Sequence, residues 1–305
     1  MDKVFGGIEA GGTKFVCVIG SSAEQIDSEV RFLTTTPEET IQRVIHFFQP
    51  YLNKGSLSAI GIGSFGPIDL DKSSPTYGFI TSTPKPGWSN INLCGMIHDS
   101  LPVPIVFDTD VNAAAFGELS CQDSATKLDP FVYITIGTGI GVGVIVNEKP
   151  IHGLVHTEAG HMLIPHNSER DPFPGICPYH KDCWEGLASG PALRERWGMP
   201  AQEIPDDHPA WELEAHYNAL AIANLILSYS PYRIVLGGGV SQHPKLMEKV
   251  RREVKSVLNG YIQAPVMETV LDDYIIPPQC GNQSGGIGAL VMAKRFMAEH
   301  PLEKG

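Results

Sequence analysis

Residues 4–20 read VFGGIEAGGTKFVCVIG, and residues 131–147 read FVYITIGTGIGVGVIVN. Each is an apolar run, then a Gly/Thr turn, then a second apolar run. Val, Ile and Thr suit a pleated surface and glycine suits a tight reversal, so each stretch predicts a β-hairpin. The segments after the two hairpins also match. TTTPEETIQRVIHFFQPYL comes after the first, with Thr36 placed to cap a helix, Pro37 at its first position and Glu39 completing a capping box. SAIGIGSFGPI then reads as a short buried strand ending in glycine. After the second hairpin and a long interruption come the helical PAWELEAHYNALAIANLILSYS and the strand YRIVLGGGV. Hairpin, helix and glycine-ended strand thus occur twice in one order, which predicts a duplicated α/β domain.

A chain of 305 residues is long enough for two such domains. The first is expected over residues 1–117, joined by a helix over 286–305, and the second over 118–285. The join is expected in DVNAAAFGEL or in the polar CQDSATKLDP after it. The net charge is −12 and no Lys/Arg run is present, so neither nucleic acid nor an anionic membrane is an expected partner. The first residues lack a secretory pattern, and no run reaches the roughly 20 apolar residues of a membrane helix. A cytoplasmic protein is expected. In a reducing compartment its cysteines, Cys17, Cys94, Cys121, Cys177, Cys183 and Cys280, should be free thiols or metal ligands rather than disulfides.

The two hairpin turns carry Gly11, Gly12, Thr13 and Lys14, and Gly137, Thr138 and Gly139. Phosphate oxygens need convergent N–H donors with no side chain in the way, which glycine provides. A Walker A pattern is absent, and an ordinary tight turn would use the same residues. Their equivalent places in a duplicated fold favour phosphate binding. Gly237, Gly238 and Gly239 end the strand RIVL and leave room for a ribose or flat ring; a flexible turn would look alike.

Cys177, His180 and Cys183 are spaced by two residues each in CPYHKDC. Such spacing lets a tight loop turn three ligands toward one ion, and His161 is the best fourth. Two thiolates and two imidazoles suit Zn²⁺, and four protein ligands leave no open position, so the zinc should be structural. The intervening HNSERDPFPG has too few apolar residues to order by packing, so the metal is expected to order it.

Asp108 and Asp110 sit where the strand of PIVFDTDVNAAAFGEL enters a helix. Either could be a helix cap. A free Asp ionises near pH ~4, so Asp110 can also serve as general base toward a hydroxyl acceptor. Asp108 is expected to be structural.

Together these motifs resemble the ROK sugar kinases of the actin-like superfamily. GGIEAGGTKF and ITIGTGIG are similar to its two phosphate segments, IVLGGGV to its adenosine segment, and the ExGH of Glu158 to His161 with the Cys-rich loop to the ROK signature. The resemblance implies duplicated actin-like ATPase (ribonuclease H-like) domains with an active-site cleft between them. It implies Mg-ATP held by Gly11, Gly12, Thr13, Lys14, Thr138, Gly139, Pro191 and Gly237 to Gly239. Asp110 becomes the catalytic base, and Gly66, Glu158, His161 and Glu185 face the sugar. Glu9 stands where such kinases carry an Asp that holds hydrated Mg²⁺. CPYHKDCWEGLASGPA is similar to the bacterial ROK fructokinases, whereas Thr109 replaces an Asn that contacts sugar in the glucokinases. Fructose is therefore the expected substrate, with a glucokinase or N-acylhexosamine kinase as the alternative, and a homodimer is the family expectation. ROK repressors carry a helix-turn-helix for which three residues before Val4 leave no room. A non-catalytic sensor would not be expected to keep Asp110.

Overall fold

The computed structural model describes residues 3–122 and 128–300. The described chain forms two compact units. One takes residues 3–122, Pro150–His156 and residues 279–300; the other takes residues 128–149 and Thr157–Pro278. Among the described residues no helix is long and apolar enough to cross a membrane. The expected join CQDSATKLDP falls partly on residues 123–127, which lie outside the described residues.

The first unit runs β1 (Val4–Ala10), β2 (Lys14–Ser22), β3 (Gln25–Leu33), α1 (Pro37–Asn53), β4 (Leu57–Ser64), β5 (Phe79–Ile80), β6 (Ile91–Asn92), α2 (Leu93–His98), β7 (Ile105–Thr109) and α3 (Asp110–Ser120). Its main sheet has the order β3-β2-β1-β4-β7, antiparallel through the first three strands and parallel from β1 to β7. The second unit runs β8 (Phe131–Ile136), β9 (Ile140–Val146), β10 (Lys149–Pro150), α4 (Trp184–Ala188), α5 (Gly190–Trp197), α6 (Ala210–Tyr229), β11 (Arg233–Gly237), α7 (Leu246–Leu258), α8 (Pro265–Glu268) and β12 (Ile275–Ile276). Its sheet, β10-β9-β8-β11-β12, repeats the first position by position. The duplication read from the paired hairpins is present, with a third strand added to each.

Local chemistry explains the elements. Thr36 caps α1 by accepting from the Glu39 amide at 3.4 Å, and Pro37 occupies the first turn. Ile41, Val44 and Phe48, three or four residues apart, bury one face of that helix. β2 is buried over Phe15 to Ile19 because both faces of its sheet are covered. One cover is α9 (Ser284–Glu299), which belongs to the first unit. Residues 301–305 of the helix expected over 286–305 lie outside the described residues. α9 sits so close to the sheet that a Cβ at Gly7 would lie 2.2 Å from the Gly286 carbonyl oxygen, and one at Gly61 would lie 1.8 Å from that of Ala289. Only glycine permits that approach.

Two features depart from the sequence reading. Pro150–His156 groups with the first unit, whereas the sequence reading runs the second domain unbroken over 118–285. Cys121 and Cys280, expected as free thiols, form a disulfide across 159 residues. The end of α3 and the turn before α9 pack together, bringing the two Cα atoms to 5.9 Å. Buried Glu118 fastens the same contact by accepting from the backbone N–H groups of Gln279 at 2.7 Å and Cys280 at 3.2 Å. Cys17, Cys94, Cys177 and Cys183 are free, and burial pushes the Cys94 thiol up to about 12. Denatured, unreduced, metal-free protein should therefore titrate four thiols, rising to six on reduction; six without reduction would remove the bridge.

Candidate active site and metal centre

In the first unit, Ala10 pairs with Ser64, and Ser64 with Thr109. The turns that leave β1, β4 and β7 thus start from one edge, the carboxyl end of three parallel strands, where α/β folds place ligands. Those turns carry Gly11 to Lys14, Gly66 and Asp110. The first is closed by the Gly11 N–H on the Lys14 carbonyl at 3.0 Å and fastened by Thr34, whose hydroxyl donates to the Gly11 carbonyl at 2.7 Å. A Cβ at Gly12 would meet no other described atom within 4 Å, so this backbone can be approached closely. Glu9 lies one residue before the edge, and its carboxyl group abuts Gly285 at the start of α9. Burial raises its pKa, with the charges of Lys14 and Arg31 working against that rise.

Neither aspartate at the β7–α3 junction is the helix cap. Thr109 is: its hydroxyl accepts from the Asn112 amide at 3.2 Å. Asp108 is buried and accepts from the Thr109 N–H and the Asn112 side-chain amide, both at 2.7 Å. Asp110 is the first residue of α3 and accepts from the Val111 N–H at 2.9 Å.

The second unit gathers its own set. Thr135 pairs with Gly237, so the Gly137–Gly139 turn and the Gly237–Gly239 turn leave the same edge of β8 and β11. The Gly137 carbonyl accepts from the Gly190 N–H at 2.8 Å, which seats the start of α5 and Pro191 against the Thr138 turn. Gly238 has φ +91°, and a Cβ there would fall 2.3 Å from the Ile136 carbonyl oxygen, so glycine is required. Glu185, on α4, accepts from the Ile140 N–H at 2.8 Å through Oε2 and directs Oε1 toward His161 Nε2, 3.9 Å away. It therefore links the Thr138 hairpin to a cluster of two histidines and two cysteines.

The ligand atoms of that cluster, on His161, Cys177, His180 and Cys183, all lie within 4.8 Å of one another. Cys177 Sγ is 3.6 Å from Nδ1 of both His161 and His180, and Cys183 Sγ is 3.6 Å from His161 Nδ1. A tetrahedron with zinc–sulfur and zinc–nitrogen bonds of ~2.3 and ~2.0 Å has a sulfur–nitrogen edge of about 3.5 Å. The donor set fits zinc in both geometry and softness. A tight reversal makes the fit: Cys177 and Lys181 exchange both backbone hydrogen bonds, with Lys181 at φ +63°. Burial pushes the Cys183 thiol up to about 11, so a cation is what would hold it as thiolate.

The loop before this cluster does not depend on a metal alone. Asp171, buried in HNSERDPFPG, accepts from the Tyr217 hydroxyl at 2.6 Å and lies 3.2 Å from Arg196 Nη2. His166 reaches the Asp171 carbonyl at 2.9 Å and the Asp182 carboxylate at 3.1 Å. Trp184, beside Cys183, donates to Asn218 at 2.8 Å, and Asn218 donates to Glu214 at 2.9 Å. Glu214 is fully buried, which pushes its pKa up to about 8 against the opposing pull of Asn218 and Arg196 and so favours its neutral form. The sequence reading missed these residues. The available signal was Glu214, Tyr217 and Asn218, whose spacing of three or four places their side chains on one face of the helix.

The ROK family pattern matches residues 5–296, a span that takes in both glycine-rich edges and the His/Cys quartet. The chain belongs to the ROK family. ROK relatives include a fructokinase of Lactococcus lactis subsp. cremoris, 45% identical over 96% of this chain and 98% of that protein. A fructokinase of Streptococcus mutans is 44% identical over 98% of this chain and all of its own length. Among solved structures, a ROK hexokinase from Thermus thermophilus superposes with TM-score 0.78 at 23% identity, covering 97% of this chain and 99% of that one. That likeness establishes the actin-like fold of the ROK kinases.

Proposed function

We propose that this chain is an ATP-dependent fructokinase that transfers the γ-phosphoryl of Mg-ATP to a hydroxyl of fructose, giving fructose 6-phosphate. The observation that carries the reading is full-length identity above 40% to ROK fructokinases, in a chain whose sheet edge presents Asp110 beside glycine-rich turns.

In this reading Asp110 accepts the proton of the attacking hydroxyl. Phosphoryl transfer has a loose transition state, so the base mainly orients the nucleophile. Gly11 to Lys14 and Thr138 with Gly139 supply N–H and hydroxyl donors to the phosphates, and Pro191 and Gly237 to Gly239 border the nucleoside. Glu9 takes the carboxylate position toward hydrated Mg²⁺, where a cation would offset the burial that raises its pKa. Gly66, Glu158, His161 and Glu185 form the sugar side. Zinc, when bound by His161, Cys177, His180 and Cys183, supplies a cross-link and no reaction step. His161 then fixes its Nδ1 on the metal and turns Nε2 outward. We place the enzyme in the cytoplasm as a homodimer acting on hexose and ATP, without nucleic-acid or membrane partners, consistent with its charge of −12.

A coupled ADP-release assay over a hexose panel tests this. Fructose should stimulate release strongly and glucose weakly. Strong stimulation by glucose alone would overturn the substrate; none by any hexose would overturn the kinase reading.

A further inference from the structure

Pro150–His156 belongs to the first unit although it interrupts the second in sequence. It folds back on itself, with His152 and His156 paired across a turn closed by the Gly153 N–H on the Val155 carbonyl at 3.1 Å. Its burial runs against polarity. His156 is buried at 6% exposure, while Leu154 and Val155 at the tip are 101% and 64% exposed. Hydrophobic burial does not dock this strap, because that would take the leucine and valine inward and leave imidazole in water. Specific polar contacts dock it.

His152 Nε2 lies 3.0 Å from Oδ2 and 3.2 Å from Oδ1 of Asp108, the buried carboxylate that also takes the Thr109 and Asn112 donors. The bond to Asp108 raises the His152 pKa, which favours the charged, donating form. His152 thus completes the donors that orient the Asp108 carboxylate, two residues before Asp110. His156 acts on a second segment. Its Nε2 accepts from the Ile68 N–H at 3.3 Å, and its ring lies against Gly66, where a Cβ would come within 3.6 Å of Cε1. The imidazole therefore backs the Gly66–Ile68 backbone, which leaves the same sheet edge as Asp110.

We propose that Pro150–His156 is a positioning strap for the phosphoryl acceptor: His152 holds the junction that aims Asp110, and His156 holds the backbone at Gly66 against which the sugar rests. The inference deepens the kinase reading and rests on it. Neither histidine is assigned to the reacting atoms; both act through residues that touch substrate.

The experiment is steady-state kinetics on the full chain, varying fructose and ATP separately, with a thermal unfolding midpoint for each variant. His152→Ala should lower kcat by on the order of tenfold or more, the scale of small misplacements at a reacting centre, with KM for ATP unchanged. His152→Gln, whose amide can still donate to Asp108, should restore most of kcat. His156→Ala should raise KM for fructose by on the order of tenfold with a smaller change in kcat. Alanine variants equal to the unaltered enzyme would overturn the proposal. So would losses spread evenly over fructose and ATP, tracking the unfolding midpoint and not rescued by glutamine, since that pattern marks a structural role. An unaltered protein that phosphorylates no hexose would sink the kinase reading and the strap with it; an active protein with indifferent histidines would sink the strap alone.

Discussion

Asp110→Asn should lower kcat by at least about a hundredfold, the usual scale for loss of a general base, while KM for ATP stays close to its original value. The substitution keeps size and shape, and Asn can still accept from the Val111 N–H that Asp110 engages at 2.9 Å. It leaves the start of α3 intact, because Thr109 and not Asp110 is the cap. Activity lost in this variant therefore cannot be ascribed to a frayed helix. The control is Asp108→Asn. Its remaining oxygen can still accept from Thr109 and Asn112, which both donate to Oδ1. Its new amide NH2 would stand where Oδ2 faces His152 Nε2 at 3.0 Å, opposing two donors in a buried place at a cost of about 1–3 kcal/mol. That variant should lose its unfolding midpoint first and activity by on the order of tenfold, through the junction it holds. Retained kcat in Asp110→Asn would remove it as the base. Equal loss of kcat in both, at equal stability, would leave the choice of carboxylate without support.

Removing zinc should have the second largest effect. Purified protein should carry one Zn²⁺ per chain, and a strong chelator or Cys177→Ser should weaken fructose binding by on the order of tenfold or more while leaving ATP binding nearly intact. The cause is local. With zinc bound, His161 would be tied to it through Nδ1 while Nε2 faces Glu185, and the Glu158 carbonyl accepts from the His161 N–H at 3.0 Å. Freed of metal, His161 would rotate, and Glu158 and Glu185, the carboxylates proposed for the sugar, would lose a fixed neighbour. The Gly11 to Lys14 turn is held by Thr34 and does not depend on this cluster. Hydrogen exchange should quicken over Cys177 to Cys183 but not around Asp171, whose bonds to Tyr217 and Arg196 need no metal. Sub-stoichiometric zinc in fresh protein would remove the site. Full zinc with unchanged fructose affinity after chelation would detach it from the sugar.

The fold is legible in the sequence because its signal is periodic. Two hairpins of Val, Ile and Thr around Gly/Thr turns state the duplication, and Thr36-Pro37 states where α1 begins. β3 is harder to see, since its QIDSEVRFL alternates through polar residues on an edge of the sheet. The gathering of the His/Cys quartet is legible for another reason: three of its members lie within seven residues, so spacing alone brings them together. Asp171 is not, because its partners Arg196 and Tyr217 are far along the chain and only packing unites them. Composition points to metal alone for the order of the HNSERDPFPG loop, when a buried carboxylate shares it. The same limit hides the Cys121–Cys280 pair. His152 and His156 give no signal either; they stand in a short turn whose partners, Asp108 and Ile68, belong to distant segments.

The glycine-lined seat of α9 has a consequence for how the molecule is made. A chain synthesised from its amino end completes β1, β2 and β4 early, but the helix that covers Val16 and Val18 comes only at residues 284–299. Cys121 and Cys280, which mark the two sides of the gap, are 159 residues apart. At roughly 5–20 residues per second, the bare sheet face waits on the order of ten seconds or more for its cover. The second unit, contiguous from residue 157 to 278, has all its strands before that helix emerges. The unit begun first is therefore finished last, and throughout that interval its grooved apolar face is open to whatever else the ribosome's surroundings offer.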